Sequence, residues 1–290
     1  MSDSDSDKAS GYHGGGVDSV ISVEEVNRQA AAIAEDISLE QLDELAGNES
    51  HVSINNLVAG YGQMEILHNF NLRVGKAQSL CLIGPNGAGK STILHAIFGF
   101  NRIFSGSIEI GSGDEKLDVT SLTSNQKLSQ AGIAYILQDK SIFPGMTVEE
   151  NLWMGGFLKD KPREAKQAAE QIFDKYSRLA ARRKHKAGVL SGGERRLLEI
   201  SRALVMNPEI LLVDEPSIGL EPRFIDMVFE ILDDLQNKEG KTIIMVEQNA
   251  KKGLEFADIG YVLVSGELAI AGKGDDLLKN PKVGELFLGG

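Results

Sequence analysis

Leu80-Cys81-Leu82-Ile83-Gly84-Pro85-Asn86-Gly87-Ala88-Gly89-Lys90-Ser91 is the stretch on which the fold turns. Residues 79–83 form a continuous apolar run, as a buried parallel strand does. Residues 84–91 then fit the pattern G-x-x-x-x-G-K-[ST], and an apolar helical stretch, 90–99, follows. Glycines let the backbone turn tightly and aim successive N–H groups at a polyphosphate. The helix behind the turn adds its positive N-terminal end. Lys90 supplies a point charge for the outer phosphates, and the Ser91 hydroxyl can bind Mg²⁺. Gly84, Pro85, Asn86, Gly87, Ala88, Gly89, Lys90, Ser91 and the adjoining Thr92 are therefore candidate nucleotide-binding residues.

Two further stretches belong with this one. Ile210-Leu211-Leu212-Val213 ends in Asp214-Glu215, so a buried strand delivers two carboxylates to its C-terminal end, where α/β sheets bind ligands. Asp214 can hold Mg²⁺ directly or through water, and Glu215 can orient or deprotonate an attacking water. Leu190-Ser191-Gly192-Gly193-Glu194 opens a helix shortly before. Around these, Val52, Ile54 and Leu57 predict an edge strand, and Phe70, Leu72 and Val74 alternate as another. Short strands are expected at 107–110, 132–136, 210–214, 242–246 and 260–264. Helices are expected at 147–157, 163–181, 192–206, 222–237 and 249–257. Strands alternating with helices indicate a mostly parallel α/β sheet, and 141–206 reads as a helical insertion.

The 290 residues carry a net charge of −12, unevenly spread. Residues 1–50 hold 12 acids against Lys8 and Arg28, a net −10, which leaves −2 for residues 51–290. A chain this acidic lacks the basic surface that unaided nucleic-acid binding requires. The lone cysteine, Cys81, excludes an internal disulfide and reads as buried packing. No apolar stretch approaches a membrane span. The opening Ser2-Asp3-Ser4-Asp5-Ser6-Asp7 has neither the basic nor the apolar region of a secretory signal. Residues 1–50 read as an acidic extension: disorder is expected over 1–16. One helical piece is expected through Val23, Val26, Ala30 and Ile33. A second starts at Ser38, with Gln41 as its capping-box partner. These pieces are expected to dock, on the body or on a partner, through Val26, Ile33, Leu42 and Leu45.

The combined set resembles the ATP-binding cassette (ABC) ATPases over about residues 51–290. The resemblance implies an α/β P-loop NTPase fold: a RecA-like, mostly parallel sheet, an antiparallel β subdomain and a helical subdomain at about 141–206. It implies ATP hydrolysis with Mg²⁺ held by Ser91, Gln138 and Asp214, and Glu215 as the base. Tyr61 is similar to the aromatic that stacks on adenine, and Gln138 to the glutamine that senses Mg²⁺ and links to the membrane partner. In this family two ATPase subunits pair head to tail, so Ser191, Gly192, Gly193 and Glu194 would cap the γ-phosphate of the other subunit. Ser217-Ile218-Gly219-Leu220-Glu221-Pro222 resembles the loop crossing that interface, with Glu221 where Asp is common. Gln248 stands where the family usually has a histidine. Gln can donate a hydrogen bond but cannot shuttle a proton, so it is assigned a positioning role.

Val246-Glu247-Gln248-Asn249-Ala250 is similar to the ATPase subunits of branched-chain and neutral amino-acid importers. So are residues 143–152, Met154-Gly155-Gly156, Tyr261-Val262-Leu263 and Leu288-Gly289-Gly290. That branch implies a heterodimeric pair of ATPases, two transmembrane permease subunits, a periplasmic solute-binding protein, no nucleic acid, and a peripheral place on the cytoplasmic face of the inner membrane. A permease helix would dock beside Gln138, near Phe143 and Val148. The ATPases of urea or amide importers and of lipid or lipopolysaccharide exporters are alternatives. So is a cytosolic ABC ATPase without a transporter. Ribosome-acting members of that last class carry two cassettes, against one phosphate loop here, and DNA-repair members carry a long coiled coil for which there is no room.

Overall fold

A computed structural model describes residues 37–138 and 141–287. The expected helix through Val23, Val26, Ala30 and Ile33 and the stretch 288–290 lie outside the described residues. The polypeptide runs α1 (Leu39–Leu45), β1 (Ser50–Tyr61), β2 (Met64–Gly75), β3 (Ser79–Ile83), α2 (Lys90–Phe98), β4 (Arg102–Ile110), β5 (Leu117–Asp118), α3 (Ser124–Gln130) and β6 (Ile133–Ile136). It continues through α4 (Val148–Gly155), α5 (Pro162–Lys175), α6 (Ser177–Ala180), α7 (Gly192–Leu204), β7 (Ile210–Asp214), α8 (Pro222–Asn237) and β8 (Thr242–Val246). It ends in α9 (Ala250–Phe256), β9 (Ile259–Val264), β10 (Glu267–Lys273), α10 (Gly274–Lys279) and α11 (Pro281–Phe287).

Six strands form one sheet in the order β10-β9-β3-β8-β7-β6, parallel except for β10. Alternate residues along each buried strand enter different cores. Cys81, Ile83, Leu211, Val213, Ile243 and Met245 face the helices α4, α7, α8 and α9. Leu80, Leu82, Ile210, Leu212, Ile244 and Val246 face α2 and the second sheet. This double burial is why these strands read as unbroken apolar runs. Cys81 is fully buried, and burial pushes its thiol well above the ordinary cysteine range.

The second sheet is antiparallel, in the order β2-β1-β4-β5. β1 lies inside it, between β2 and β4, so the expectation of an edge strand at Val52–Leu57 is corrected. It pairs along its length with β2 on one side, Ser50–Tyr61, and with β4 on the other, Val52–Gly60. Between β6 and β7 the helices α4 to α7 form the insertion; within it the expected 163–181 helix is divided into α5 and α6 at Tyr176. α1 is capped by Ser38 and Gln41 in a reciprocal box. Leu42 of α1 is buried in the second core with Leu45 packed beside it, and Asp43 accepts from Arg73 Nε at 2.9 Å. No helix among the described residues is long and apolar enough to cross a membrane.

α2, which carries Lys90 and Ser91 at its start, is held at its other end by a buried ammonium. Lys127 of α3 is fully buried and donates to Ala96 O at 3.2 Å. Burial lowers its pKa to about 8, against the opposing pull of Asp118. The unfolded chain therefore binds a proton here that the folded chain loses first, so this group costs stability below about pH 8 and the cost fades toward the ordinary lysine value. Lys127→Met is expected to raise Tm relative to the parent at pH 7, and the gap is expected to narrow by pH 9.5. A gap that stays constant or widens in thermal melts at the two pH values contradicts this.

Candidate functional site

The turn between β3 and α2 lies at the C-terminal edge of the parallel sheet. Gly84 has φ +147°, and a Cβ there would stand 2.3 Å from Leu263 O of the neighbouring strand β9. Only glycine lets the chain leave β3 along this path. Lys90 folds back over the turn, and its Nζ donates to Gly84 O at 2.8 Å and Pro85 O at 2.9 Å. Its ammonium is buried, which lowers its pKa, while Glu215 and Asp214 pull the other way. A cavity of about 280 Å³ opens beside it, lined by Tyr61, Asn86, Gly87, Lys90, Thr92 and Glu215 among others.

The strand ends β6, β7 and β8 converge on the same edge. Ser91 Oγ donates to Asp214 Oδ1 at 3.2 Å, joining the turn to the end of β7. Gln138, two residues beyond β6, donates from Nε2 to Glu215 Oε2 at 2.8 Å. Glu215 holds a left-handed backbone, φ +43°, while its N–H donates to Val246 O at 2.9 Å. Such a conformation costs a non-glycine residue about 1–3 kcal/mol and persists where its surroundings impose it. Partial burial and the adjacent Asp214 raise the Glu215 pKa. Ser91 Oγ, the Asp214 carboxylate and the amide oxygen of Gln138 are hard oxygen donors. Their number suits Mg²⁺, which keeps several waters and takes only a few protein ligands. Among the described residues no group of three His, Cys, Asp or Glu side chains could hold a metal alone.

Three contributors, Tyr135, His95 and Glu247, were not singled out from the sequence. Tyr135 donates its hydroxyl to Asp214 Oδ2 at 2.8 Å, so the carboxylate is gripped from both sides. Tyr61 is 44% exposed, not in the core, and its hydroxyl meets His95 Nδ1 at 2.5 Å; the His95 ring in turn lies against Tyr135. Glu247 is buried, and its carboxylate accepts from Ser217 Oγ at 2.7 Å and from Asn249 N–H at 2.9 Å. It ties the 217–222 loop to the loop of Gln248, whose own side chain is exposed. The signal for Tyr135 was present in the sequence, a phenol three residues before Gln138, but its partner lies 79 positions away.

The Ser191 stretch lines none of this cavity. Ser191 caps α7, and its Oγ accepts from Glu194 N–H at 3.3 Å while the Glu194 carboxylate accepts from Ser191 N–H at 3.0 Å. Glu194 also pairs with Arg182, so its carboxylate braces its own helix end. A Cβ on Gly193 would overlap the Phe224 ring at 2.1 Å, so this glycine allows α8 to pack against the start of α7. A second cavity of about 470 Å³ runs between the two core regions, with Phe100, Phe143, Met154 and Phe157 exposed along it. Val148 is fully buried and faces the core, which corrects its expected place in a docking surface. A further cavity of about 900 Å³ lies at the N-terminal ends of the strands, near His51, Lys76 and Glu209, away from the phosphate turn.

A family described as ABC transporter matches residues 67–218. The high-affinity branched-chain amino acid transport ATP-binding protein BraG of Pseudomonas aeruginosa is 42% identical over 230 residues, covering 79% of this chain and 96% of its own. A probable branched-chain amino acid transport ATP-binding protein, LivF of Archaeoglobus fulgidus, is 38% identical over 233 residues, covering 80% of this chain and 96% of its own. A solved ATP-binding cassette of an ABC transporter in its ADP conformation superposes with a TM-score of 0.71 at 28% identity, over 83% of this chain and 99% of that one.

Gly84 and Gly87 both have positive φ, yet only Gly84 faces a clash. Gly84→Ala is expected to weaken ATP binding by more than about tenfold, since displacing the strand end by the overlap costs over ~1.4 kcal/mol. Gly87→Ala is expected to lose less. Equal losses in a nucleotide titration of the two variants would contradict the close-approach argument.

Proposed function

The chain belongs to the ABC transporter family, and from that membership we propose that it is the ATP-hydrolysing subunit of an importer for branched-chain or neutral amino acids. The observation that carries the ATPase reading is a convergence at the sheet edge: Lys90, Ser91 and Glu215 line one cavity, and Asp214 and Gln138 are hydrogen-bonded to Ser91 and Glu215. The solute class rests on the names borne by the two relatives and on the similarity of residues 143–152 and 246–250.

ATP enters beside Tyr61, with its phosphates over the 84–92 turn. Lys90 exchanges the carbonyls of Gly84 and Pro85 for phosphate oxygens, a swap within reach of one flexible side chain. Ser91, Asp214 and Gln138 would hold Mg²⁺, which when bound neutralises charge on the outer phosphates. Tyr135 fixes the rotamer of Asp214 for that task. Glu215, with its raised pKa, orients a water and takes its proton as the γ-phosphate is attacked in line. Gln138 donates to the same carboxylate and so reports its position. Gln248 is free to contact the γ-phosphate from the side.

Ser191, Gly192 and Gly193 lie outside the cavity, at the N-terminal end of α7. There the N–H groups of Gly192 and Gly193 and the Ser191 hydroxyl can meet an anion held by another subunit, paired head to tail and, in this branch, non-identical. Each ATP then favours the closed pair through contacts the open pair lacks, which is the differential affinity a conformational shift requires. The apolar groove at Phe100, Phe143, Met154 and Phe157 is the docking surface for a permease helix. With a permease helix seated there, the chain would work from the cytoplasmic face of the membrane, with a periplasmic solute-binding protein on the other side.

Glu215→Gln is expected to cut steady-state hydrolysis by about 10²–10⁴-fold, the usual contribution of a general base, while the ATP dissociation constant changes little. Near-normal turnover would remove Glu215 from the base role. Phe143→Ser with Phe157→Ser is expected to abolish copurification with polytopic membrane subunits while ATP binding by the chain persists. Stimulation of the assembled ATPase by a periplasmic amino-acid-binding protein tests the solute class, and stimulation by a lipid or lipopolysaccharide substrate instead would overturn it.

A further inference from the structure

Beyond the site just described, α7 carries a buried ion pair that the mechanism does not use. Arg196 and Glu199 are 4% and 6% exposed, and Arg196 Nη1 donates to Glu199 Oε2 at 2.9 Å. The same nitrogen donates to Leu137 O at 2.7 Å, and Nη2 donates to Asp214 O at 3.4 Å. Leu137 and Asp214 are the residues immediately before Gln138 and Glu215, whose side chains meet at 2.8 Å. They also continue the β6–β7 register one step beyond its last pair, Ile136 and Val213. The guanidinium therefore bridges two carbonyls where the sheet ladder has ended.

We propose that Arg196 is a positioning residue for ATP hydrolysis, holding the backbones that present Gln138 and Glu215 in register and coupling that register to α7. The proposal rests on the ATPase reading of Glu215. A planar fork suits the task, because one cation can serve two carbonyls and a carboxylate at fixed angles. Glu199, one turn along the same helix, fixes the guanidinium and neutralises it. Stability alone is a poor reason for the arrangement. Burying an ion pair gains little over well-packed apolar side chains, and Arg196 Nε is buried with no partner among the described residues. Position gives it a different value. Ser191 to Gly193, the end proposed to face another subunit's nucleotide, lies just before Arg196 on the same helix. Glu199 lines both the apolar groove and the opening beside Gln138 and Gly192. A displacement of α7, from the subunit interface or from the groove, thus reaches the catalytic pair through one side chain.

The test uses the full chain assembled with its copurified subunits. Arg196→Met with Glu199→Leu removes both charges and keeps the bulk, so Tm is expected to stay within a few degrees of the parent. Its kcat is expected to fall at least tenfold with KM for ATP and nucleotide affinity nearly unchanged. Arg196→Lys keeps the ion pair but not the fork, and is expected to lower kcat by several-fold with the same unchanged KM. This second variant decides the matter if the double variant does not fold. Parental kcat in either folded variant overturns the proposal, and so does a loss of kcat matched by an equal loss of ATP affinity. Glu215→Gln in the same assembly separates the two levels. If it keeps its turnover, the ATPase reading of that residue fails. If it is inactive while the Arg196 variants are not, only the positioning role fails.

Discussion

Because the six-stranded sheet is covered on both faces, side chains that meet water or ligand are confined to the ends of its strands. Every residue between Leu80 and Ile83, and between Ile210 and Val213, is committed to one core or the other. The polar groups of the site begin where that commitment stops: Gly84 after β3, Gln138 after β6, Asp214 at the end of β7, Glu247 after β8. Parallel strands bring all these ends to one edge. Neighbours in space are then set by strand order, not by distance along the chain. Asp214 is the point where they meet, since it is bound by Ser91 from one side and by Tyr135 from the other.

The polar groups at this edge satisfy one another. Lys90 is bonded to two carbonyls of its own turn, and the Glu215 carboxylate to an amide. Burial would otherwise charge a high cost for both ions. These bonds keep the groups in place, yet each is a single contact that a phosphate oxygen or a water can replace. The left-handed backbone at Glu215 belongs to the same design: its N–H is anchored to Val246, so the carboxylate leaves the strand in a direction that ordinary extended geometry would not give.

The phosphate turn and the acidic strand end were legible in the sequence because their chemistry is local. Spacing alone fixes which N–H groups and which carboxylates sit together. The parallel strands were legible for a related reason, since burial on both faces leaves an unbroken apolar signature. What remained hidden depends on distant partners. The place of β1 in its sheet is decided by β4, about fifty residues away, and alternation cannot distinguish an edge from a centre. Val148 looked available in the docking region, but its position at the capped start of α4 turns it inward. Likewise Tyr135, His95 and Glu247 read as an ordinary strand phenol, a helix side chain and a strand-end acid until the fold joins them to Asp214, Tyr61 and Ser217.

The single thiol acquires a meaning from where the fold puts it. Cys81 lies in the middle of β3, the strand that leads directly into the phosphate turn, with Gly253 packed so close that a Cβ there would stand 2.6 Å from the sulfur. Fully buried and held in its unreactive protonated form, it can meet a reagent only when the sheet itself comes apart. The chain therefore carries an internal clock of sheet opening. Any ligand that binds the closed fold slows that clock in proportion to its occupancy, so the chemistry of one sulfur atom records the state of a phosphate site it never touches.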